Sequence, residues 1–348
     1  MVKYINEIIR TNYKCNIWCK FCNVKFTNNY WKDDINESKV IDEILHLGKK
    51  YKEQQLKYIT LSFSWWEPLL NKNIEKYIKL AKKIGIWTVE VQTNWIILFN
   101  NKYKLNKLLK AWLDELFIAQ HCQYSKINKE LWTYLDTKKL KERVKYVKDN
   151  ELNVTSENKE WISIYLNIVL TKINLPYVLD FLKYLRKIWF IDLIEERHHL
   201  DNKWDAEKIT RKISMWFVQP NGFAWEHRDE LLLSFDNRQQ KFIWKIISFC
   251  EKNNLLPDIH FVWPPLCLLF YPEYNLEYQR LKKLEEDKKK EMVDSENLES
   301  FKSLWKEKEK LEECKNCNYN KYCSWMYKWW LKYFWKDYAK KRIQKFLL

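Results

Sequence analysis

Three cysteines, Cys15, Cys19 and Cys22, fall close together in the segment KCNIWCKFC, spaced C-x3-C-x2-C. Three thiolates on one loop can ligate three irons of a cubane iron–sulfur cluster and leave its fourth iron without a protein ligand. Zinc also takes closely spaced cysteines, but a closed zinc site needs four ligands, and no fourth Cys or His lies near this segment. A second group, Cys314, Cys317 and Cys323, is spaced C-x2-C-x5-C in ECKNCNYNKYC. With Cys267 of WPPLCLLF as a fourth ligand it makes a four-thiolate set, suited to one iron–sulfur cluster or to a structural zinc ion. As a single residue Cys267 also fits the role of a small buried hydrophobe. Nine cysteines, six of them in two tight groups, point to metal or redox chemistry rather than to disulfides.

These groups need a scaffold, and the chain supplies an alternation of short apolar runs with longer Lys-rich amphipathic ones. This is the pattern of a parallel sheet with crossover helices. The runs predict strands at Ile5–Thr11, Tyr58–Ser64, Thr88–Thr93, Glu115–His121, Ile162–Thr171 and Phe190–Glu195. Helices are predicted over Glu37–Lys52, Asn73–Ile84, Lys102–Ala111, Lys138–Asn150 and Leu175–Lys187. Six such units make a partial (β/α)6 TIM-like barrel, an α/β fold whose chemistry lies at the C-terminal ends of its strands. The first cysteine group follows the first strand directly.

The expected organisation is a partial-barrel core over residues 1–235, a helical connection and charged linker over 236–313, and a small Cys-rich extension over 314–348. Residues 236–253 read as a helix with Cys250 on its apolar face. The Glu/Lys-rich stretch 276–313 reads as a solvated helix. The extension is too short for a core of its own and is expected to be organised by its metal centre.

Glycine averages about 7% of residues, roughly two dozen in a chain this long. Here there are three, Gly48, Gly85 and Gly222, against twenty tryptophans. The tryptophans sit where turns belong: Trp95 follows Thr93-Asn94 at a strand end, Trp189 falls between a helical run and FIDLI, and Trp65-Trp66 and Trp329-Trp330 occur as pairs. Asn-Gly and Gly-Gly are ordinary turn sequences, whereas paired indoles are not. The substitution pattern suggests a gene in which UGA specifies glycine, translated with a code that reads it as tryptophan.

The cysteine spacing, with the aromatic Phe21 before the third cysteine, resembles the signature of the radical S-adenosylmethionine (SAM) superfamily. ITLSFSWWEPLL, with glycine at Trp65 and Trp66, becomes SFSGGEPLL, which is similar to that family's GGEP motif around Glu67 and Pro68. Glycine there has a physical reason, because a backbone that approaches a ligand closely has no room for a side chain. VEVQTNW likewise becomes VEVQTNG, similar to the family's turn at Thr93 and Asn94. The resemblance covers about residues 5–200. It implies a SAM-binding [4Fe-4S] cluster on Cys15, Cys19 and Cys22, SAM contacts around Phe21, Trp65 to Pro68, Thr93, Asn94 and Asn167, and a hydrogen-bonding or direct role for His121. The tail is similar to SPASM and twitch extensions, which implies a second, auxiliary iron–sulfur cluster on Cys267, Cys314, Cys317 and Cys323.

The implied activity is reductive cleavage of SAM to a 5′-deoxyadenosyl radical that abstracts a hydrogen from a peptide or small-molecule substrate. A flavodoxin- or ferredoxin-like reductant is implied as partner. No long apolar run or signal peptide is apparent, so a soluble, cytoplasmic protein without a membrane partner is expected. The net charge of +16 raises the alternatives of an RNA-modifying radical enzyme or a noncatalytic zinc-binding nucleic-acid adaptor. The charge is spread along an AT-rich-type composition with no compact basic module, which argues against nucleic acid.

Overall fold

A computed structural model describes residues 4–23, 35–54, 58–134, 136–151, 163–188, 213–253, 259–262, 308–320, 323, 326–328 and 331. Seven strands form one sheet in strict chain order: β1 (Tyr4–Ile9), β2 (Tyr58–Phe63), β3 (Thr88–Thr93), β4 (Glu115–Ala119), β5 (Ser163–Leu170), β6 (Ile213–Phe217) and β7 (Ile259–Val262). Every adjacent pair is parallel. Among the described residues β1 pairs only with β2 and β7 only with β6, so the sheet is an open, partial barrel.

The first five strands coincide with the predicted runs to within two residues. The predicted strand Phe190–Glu195 lies outside the described residues, and the sixth place in the sheet belongs to Ile213–Phe217, followed by a seventh strand the sequence did not suggest. The sheet thus takes in residues past 235. The helices Glu37–Glu53, Ile74–Lys83, Lys102–Lys110, Thr137–Glu151, Val178–Lys187 and Asn237–Lys252 fall where amphipathic runs were read. Among the described residues, no helix is long and apolar enough to cross a membrane.

Strand side chains alternate between two faces. One face carries Leu61, Phe63, Val89, Val91, Leu116, Ile164 and Leu166, all buried against the helices. Cys250 joins this core, and Cys122 is also fully buried. The opposite, inner face mixes Phe117, Tyr165 and Trp216 with polar side chains: Ser62 donates to Glu90 at 2.6 Å, and Gln92 donates to the same carboxylate at 2.9 Å. The register aligns Ala119, Asn167 and Ser214 side by side across β4, β5 and β6. The sheet thus packs an apolar face on its helices and turns mixed polar and aromatic side chains towards the lumen.

Candidate active site

The cluster loop leaves β1 and is tied down from three sides. Cys22 N–H donates to Cys19 O at 3.0 Å, Lys20 N–H to Leu131 O at 3.0 Å, and Ala224 N–H to Cys22 O at 3.0 Å. Burial pushes the Cys15 thiol up to about 12, and the charges of Glu67 and Cys22 add to this, while the Ile17 backbone and the Asn94 amide pull it down. Burial holds the Cys19 thiol well above its usual range, with Cys22 and then Cys15 adding repulsion. Three enclosed sulfurs that repel one another need positive charge to ionise together. An iron–sulfur core supplies it, so the donor set fits such a cluster. Among the described residues, no three His, Cys, Asp or Glu side chains are gathered as a single metal ion would require.

Glu67 sits just beyond the end of β2 and is fully buried. Its carboxylate accepts from Thr93 Oγ1 at 2.8 Å, Asn94 N–H at 2.8 Å and Leu69 N–H at 3.1 Å. The last of these caps the turn Pro68–Leu70, where Pro68 pre-sets the first position. Its backbone N–H donates to Lys14 O at 3.0 Å, and its carbonyl accepts from Asn12 Nδ2 at 3.0 Å. One residue therefore fastens the end of β2 to the turn after β3 and to the approach to Cys15. Burial outweighs the three donors and raises the carboxyl to about 7. An acid whose folded value lies above its unfolded one favours the folded state most when protonated. Stability is therefore expected to fall as pH rises from about 4.5 towards 7 and to level off above that. Denaturant titrations across this range should show a slope that Glu67→Gln flattens, and an unchanged slope in that variant would assign the effect elsewhere.

After β3, Asn94 places its side-chain nitrogen 3.8 Å from Cys15 Sγ. Phe21 is buried with its ring edge-on to His121 at a centroid separation of 4.6 Å. His121 Nδ1 accepts from Val169 N–H at 3.0 Å, and burial lowers its pKa to about 3. Burial thus favours the neutral imidazole, and its Nδ1 bridges the ends of β4 and β5. Asn167 lies on the lumen face of β5 with its Oδ1 buried and, among the described residues, without a hydrogen-bond partner, and Ser214 Oγ beside it is in the same state.

The tryptophans of the two turns have unusual backbones. Trp65 (φ 69°), Trp66 (φ 51°) and Trp95 (φ 64°) all lie in the left-handed region, as do Trp112 (φ 70°) and Trp132 (φ 57°). Among the described residues only one other non-glycine residue does so, Phe235 (φ 49°). An L side chain in that region costs about 1–2 kcal/mol, and a bulky one is an outlier.

Cys314 and Cys317 lie in and just after the turn Glu312–Asn316, between the short antiparallel strands β8 (Lys308–Glu309) and β9 (Met326–Tyr327), with Cys323 in the same connection. Cys317 N–H donates to Cys314 O at 3.1 Å, and Lys310 Nζ donates to Asn320 O and Oδ1, both at 2.7 Å. Burial raises the Cys314 thiol. Cys267 lies outside the described residues.

Sequence reasoning missed Asn12, Asn16, Gln120 and Ser214. Asn12 and Gln120 are polar residues just past the C-terminal ends of β1 and β4, which was the available signal, whereas Ser214 is the second residue of β6 and carried none. Their work is done over long sequence separations, as in the bond from Gln120 Nε2 to Asn94 O at 3.2 Å.

No curated protein matches this chain. Among solved structures, it is similar to "Native anSMEcpe with bound AdoMet" at 13% identity and a TM-score of 0.56, covering 98% of this chain and 96% of that one. It is similar to Streptococcus suis SuiB bound to precursor peptide SuiA at 15% identity and a TM-score of 0.49, covering 75% of this chain but 49% of SuiB, so it spans about half of that protein's length. Coproporphyrinogen III oxidase (HemN) from Escherichia coli, described as a radical SAM enzyme, matches at 12% identity and a TM-score of 0.42, over 72% of this chain and 53% of that one. The family profile described as the Radical SAM superfamily matches residues 9–185, just over half of the 348 residues and the whole span from the end of β1 to the helix after β5. That match, over the segment that carries the three-cysteine loop and the Glu67 clamp, places this chain in the radical SAM superfamily of enzymes.

Proposed function

We propose that Cys15, Cys19 and Cys22 hold a [4Fe-4S] cluster at which SAM is reductively cleaved, and that the lumen receives a peptide substrate. When bound, the cluster supplies one electron that divides SAM into methionine and a 5′-deoxyadenosyl radical, which takes a hydrogen atom from the substrate. The chain's own residues do the rest. The loop presents three sulfurs at the mouth of the lumen, and Glu67 locks the β2 and β3 turns that border it. Asn167 and Ser214 offer buried hydrogen-bonding atoms on the opposite wall, and the apolar outer face keeps the strand ends rigid. The observation that carries this reading is the Glu67–Asn94–Cys15 connection, which joins three sequence motifs at one point of the sheet.

Left-handed φ values at five of the ten described tryptophans support glycine as the residue intended at Trp65, Trp66, Trp95, Trp112 and Trp132. The extension is read as an auxiliary cluster site on Cys314, Cys317, Cys323 and Cys267, and a flavodoxin- or ferredoxin-like protein as the electron donor. The peptide substrate rests on the likeness of this tail to SPASM and twitch extensions. The test is anaerobic reconstitution of protein with all twenty tryptophans recoded as glycine, then reduction with dithionite in the presence of SAM. Formation of 5′-deoxyadenosine is expected, with about eight irons per chain if both centres are cubane clusters. A loaded cluster without 5′-deoxyadenosine would sink the catalytic reading, and about four irons would remove the auxiliary cluster alone.

A further inference from the structure

Asn94 is engaged at every polar atom it possesses. Its N–H donates to Glu67 Oε2 at 2.8 Å and its C=O accepts from Gln120 Nε2 at 3.2 Å. Its Oδ1 accepts from Ile96 N–H at 3.1 Å, closing a turn at the start of the helix Ile96–Asn100. Its Nδ2 donates to Asn16 Oδ1 at 2.6 Å and points a second hydrogen at Cys15 Sγ, 3.8 Å away. The Ile96 contact fixes which way the amide faces, because a flipped side chain would set NH2 against a backbone N–H and turn a second oxygen on Asn16 Oδ1. The donor edge therefore faces the sulfur, and the residue is only 8% exposed.

We infer that Asn94 sets the ease of reduction of the cluster by donating an N–H to the Cys15 thiolate; the inference rests on the assignment of Cys15, Cys19 and Cys22 as cluster ligands. A donor to a ligand sulfur draws off negative charge. It favours the reduced, more negative form of the cluster over the oxidised one. The effect depends on holding the nitrogen in place, and this gives Glu67 and Gln120 a purpose beyond stability: they fix the backbone from which the amide projects. Asn94 is in this sense a tuning residue, acting on the cluster through its ligand.

The measurement is an EPR-monitored redox titration of full-length protein without SAM, comparing the parent with Asn94→Ala, Asn94→Asp and Asn16→Ala in one sequence background. Asn94→Ala is expected to make the cluster about tenfold harder to reduce, a fall of about 59 mV for a one-electron couple. Asn94→Asp keeps an oxygen for Ile96 and removes the nitrogen, so it is expected to shift the midpoint the same way even if the alanine variant retains little iron. Asn16→Ala, which removes only the other partner of the amide, should shift it less. A role confined to structure would lower Tm or iron retention without moving the midpoint of the cluster that remains. Intact clusters with an unchanged midpoint in both Asn94 variants would overturn this inference alone. Parent protein that takes up no [4Fe-4S] cluster would overturn the ligand assignment and this inference with it.

Discussion

Cys19→Ala is expected to abolish iron binding at the first site and to bring 5′-deoxyadenosine formation down to that of protein without iron, a loss of at least 10²-fold. Altering even the groups behind a metal ligand commonly costs about 10–100-fold, and Cys19 is assigned as a ligand itself. Its sulfur packs against the core and its thiol is held protonated by burial, so nothing but a bound metal is expected to keep it ionised. The fold should survive the change. The loop is held by the backbone bonds from Cys22 to Cys19, Lys20 to Leu131 and Ala224 to Cys22, none of which uses the thiol. Cys250→Ala provides the contrast. It removes a fully buried sulfur from the helix Asn237–Lys252, should lower stability by about 1 kcal/mol, and should leave iron content unchanged. Iron and sulfide determination, EPR and quantitation of 5′-deoxyadenosine on the two variants would separate the roles, and iron retained by Cys19→Ala would refute the assignment.

Replacing Trp65 and Trp66 together by glycine is expected to raise SAM binding and reductive cleavage by at least tenfold in protein with equal cluster loading. Both residues are left-handed, and their rings occupy the turn next to the cluster loop, Trp65 under Arg10 at 4.2 Å and Trp66 edge-on to Tyr13 at 5.1 Å. Glycine relieves the backbone and clears the space at once. Surface positions isolate the backbone part of the argument. Trp112 is 63% exposed, so removing its ring leaves no cavity, and Trp112→Gly should stabilise the protein by about 1 kcal/mol, whereas the Trp132 ring packs on Phe223 and His227 beneath Lys20, so its loss offsets the same backbone gain. Trp244, 48% exposed in the middle of a helix, should instead lose up to about 0.5 kcal/mol on the same change. Equal responses at Trp112 and Trp244 would remove the conformational support for glycine, as would intact-mass analysis of the native protein showing tryptophan at positions 65 and 66.

The parts of the site visible in the sequence are those whose signal is local. C-x3-C-x2-C, the Glu-Pro after an apolar run and Thr-Asn at the end of VEVQT each sit at the C-terminal end of a strand, where a partial barrel concentrates its chemistry. The contacts that make them one site are not local. Asn12 meets Glu67 across 55 positions and Gln120 meets Asn94 across 26, and no period or spacing encodes either bond. The sixth strand illustrates a different limit. FIDLI and ISMWF are apolar runs of equal length, and periodicity alone gives no reason to prefer the one that pairs with β5. β7 has four residues between Pro257 and Pro264, too short a run to stand out from a turn. Trp65, Trp66 and Trp95 were anticipated as turn residues from the scarcity of glycine and the local sequence, whereas Trp216 lies within a strand and Trp244 within a helix.

Strict chain order in the sheet has a consequence for how the protein is made. The three N-terminal cysteines, Asn12, Glu67 and Asn94 all belong to β1, β2, β3 and the loops that follow them. At ordinary synthesis rates of about 5–20 residues per second, Asn94 follows Cys15 out of the ribosome's catalytic centre by roughly 4–16 s. The clamp around Glu67 is therefore chemically complete before β4 to β7 have been made. Gln120, Ala224 and the inner wall of β5 and β6 arrive only afterwards. The nascent chain can thus assemble the proposed cluster loop and its Glu67 clamp early and enclose them later, an order suited to a centre that receives its metal before it is shielded.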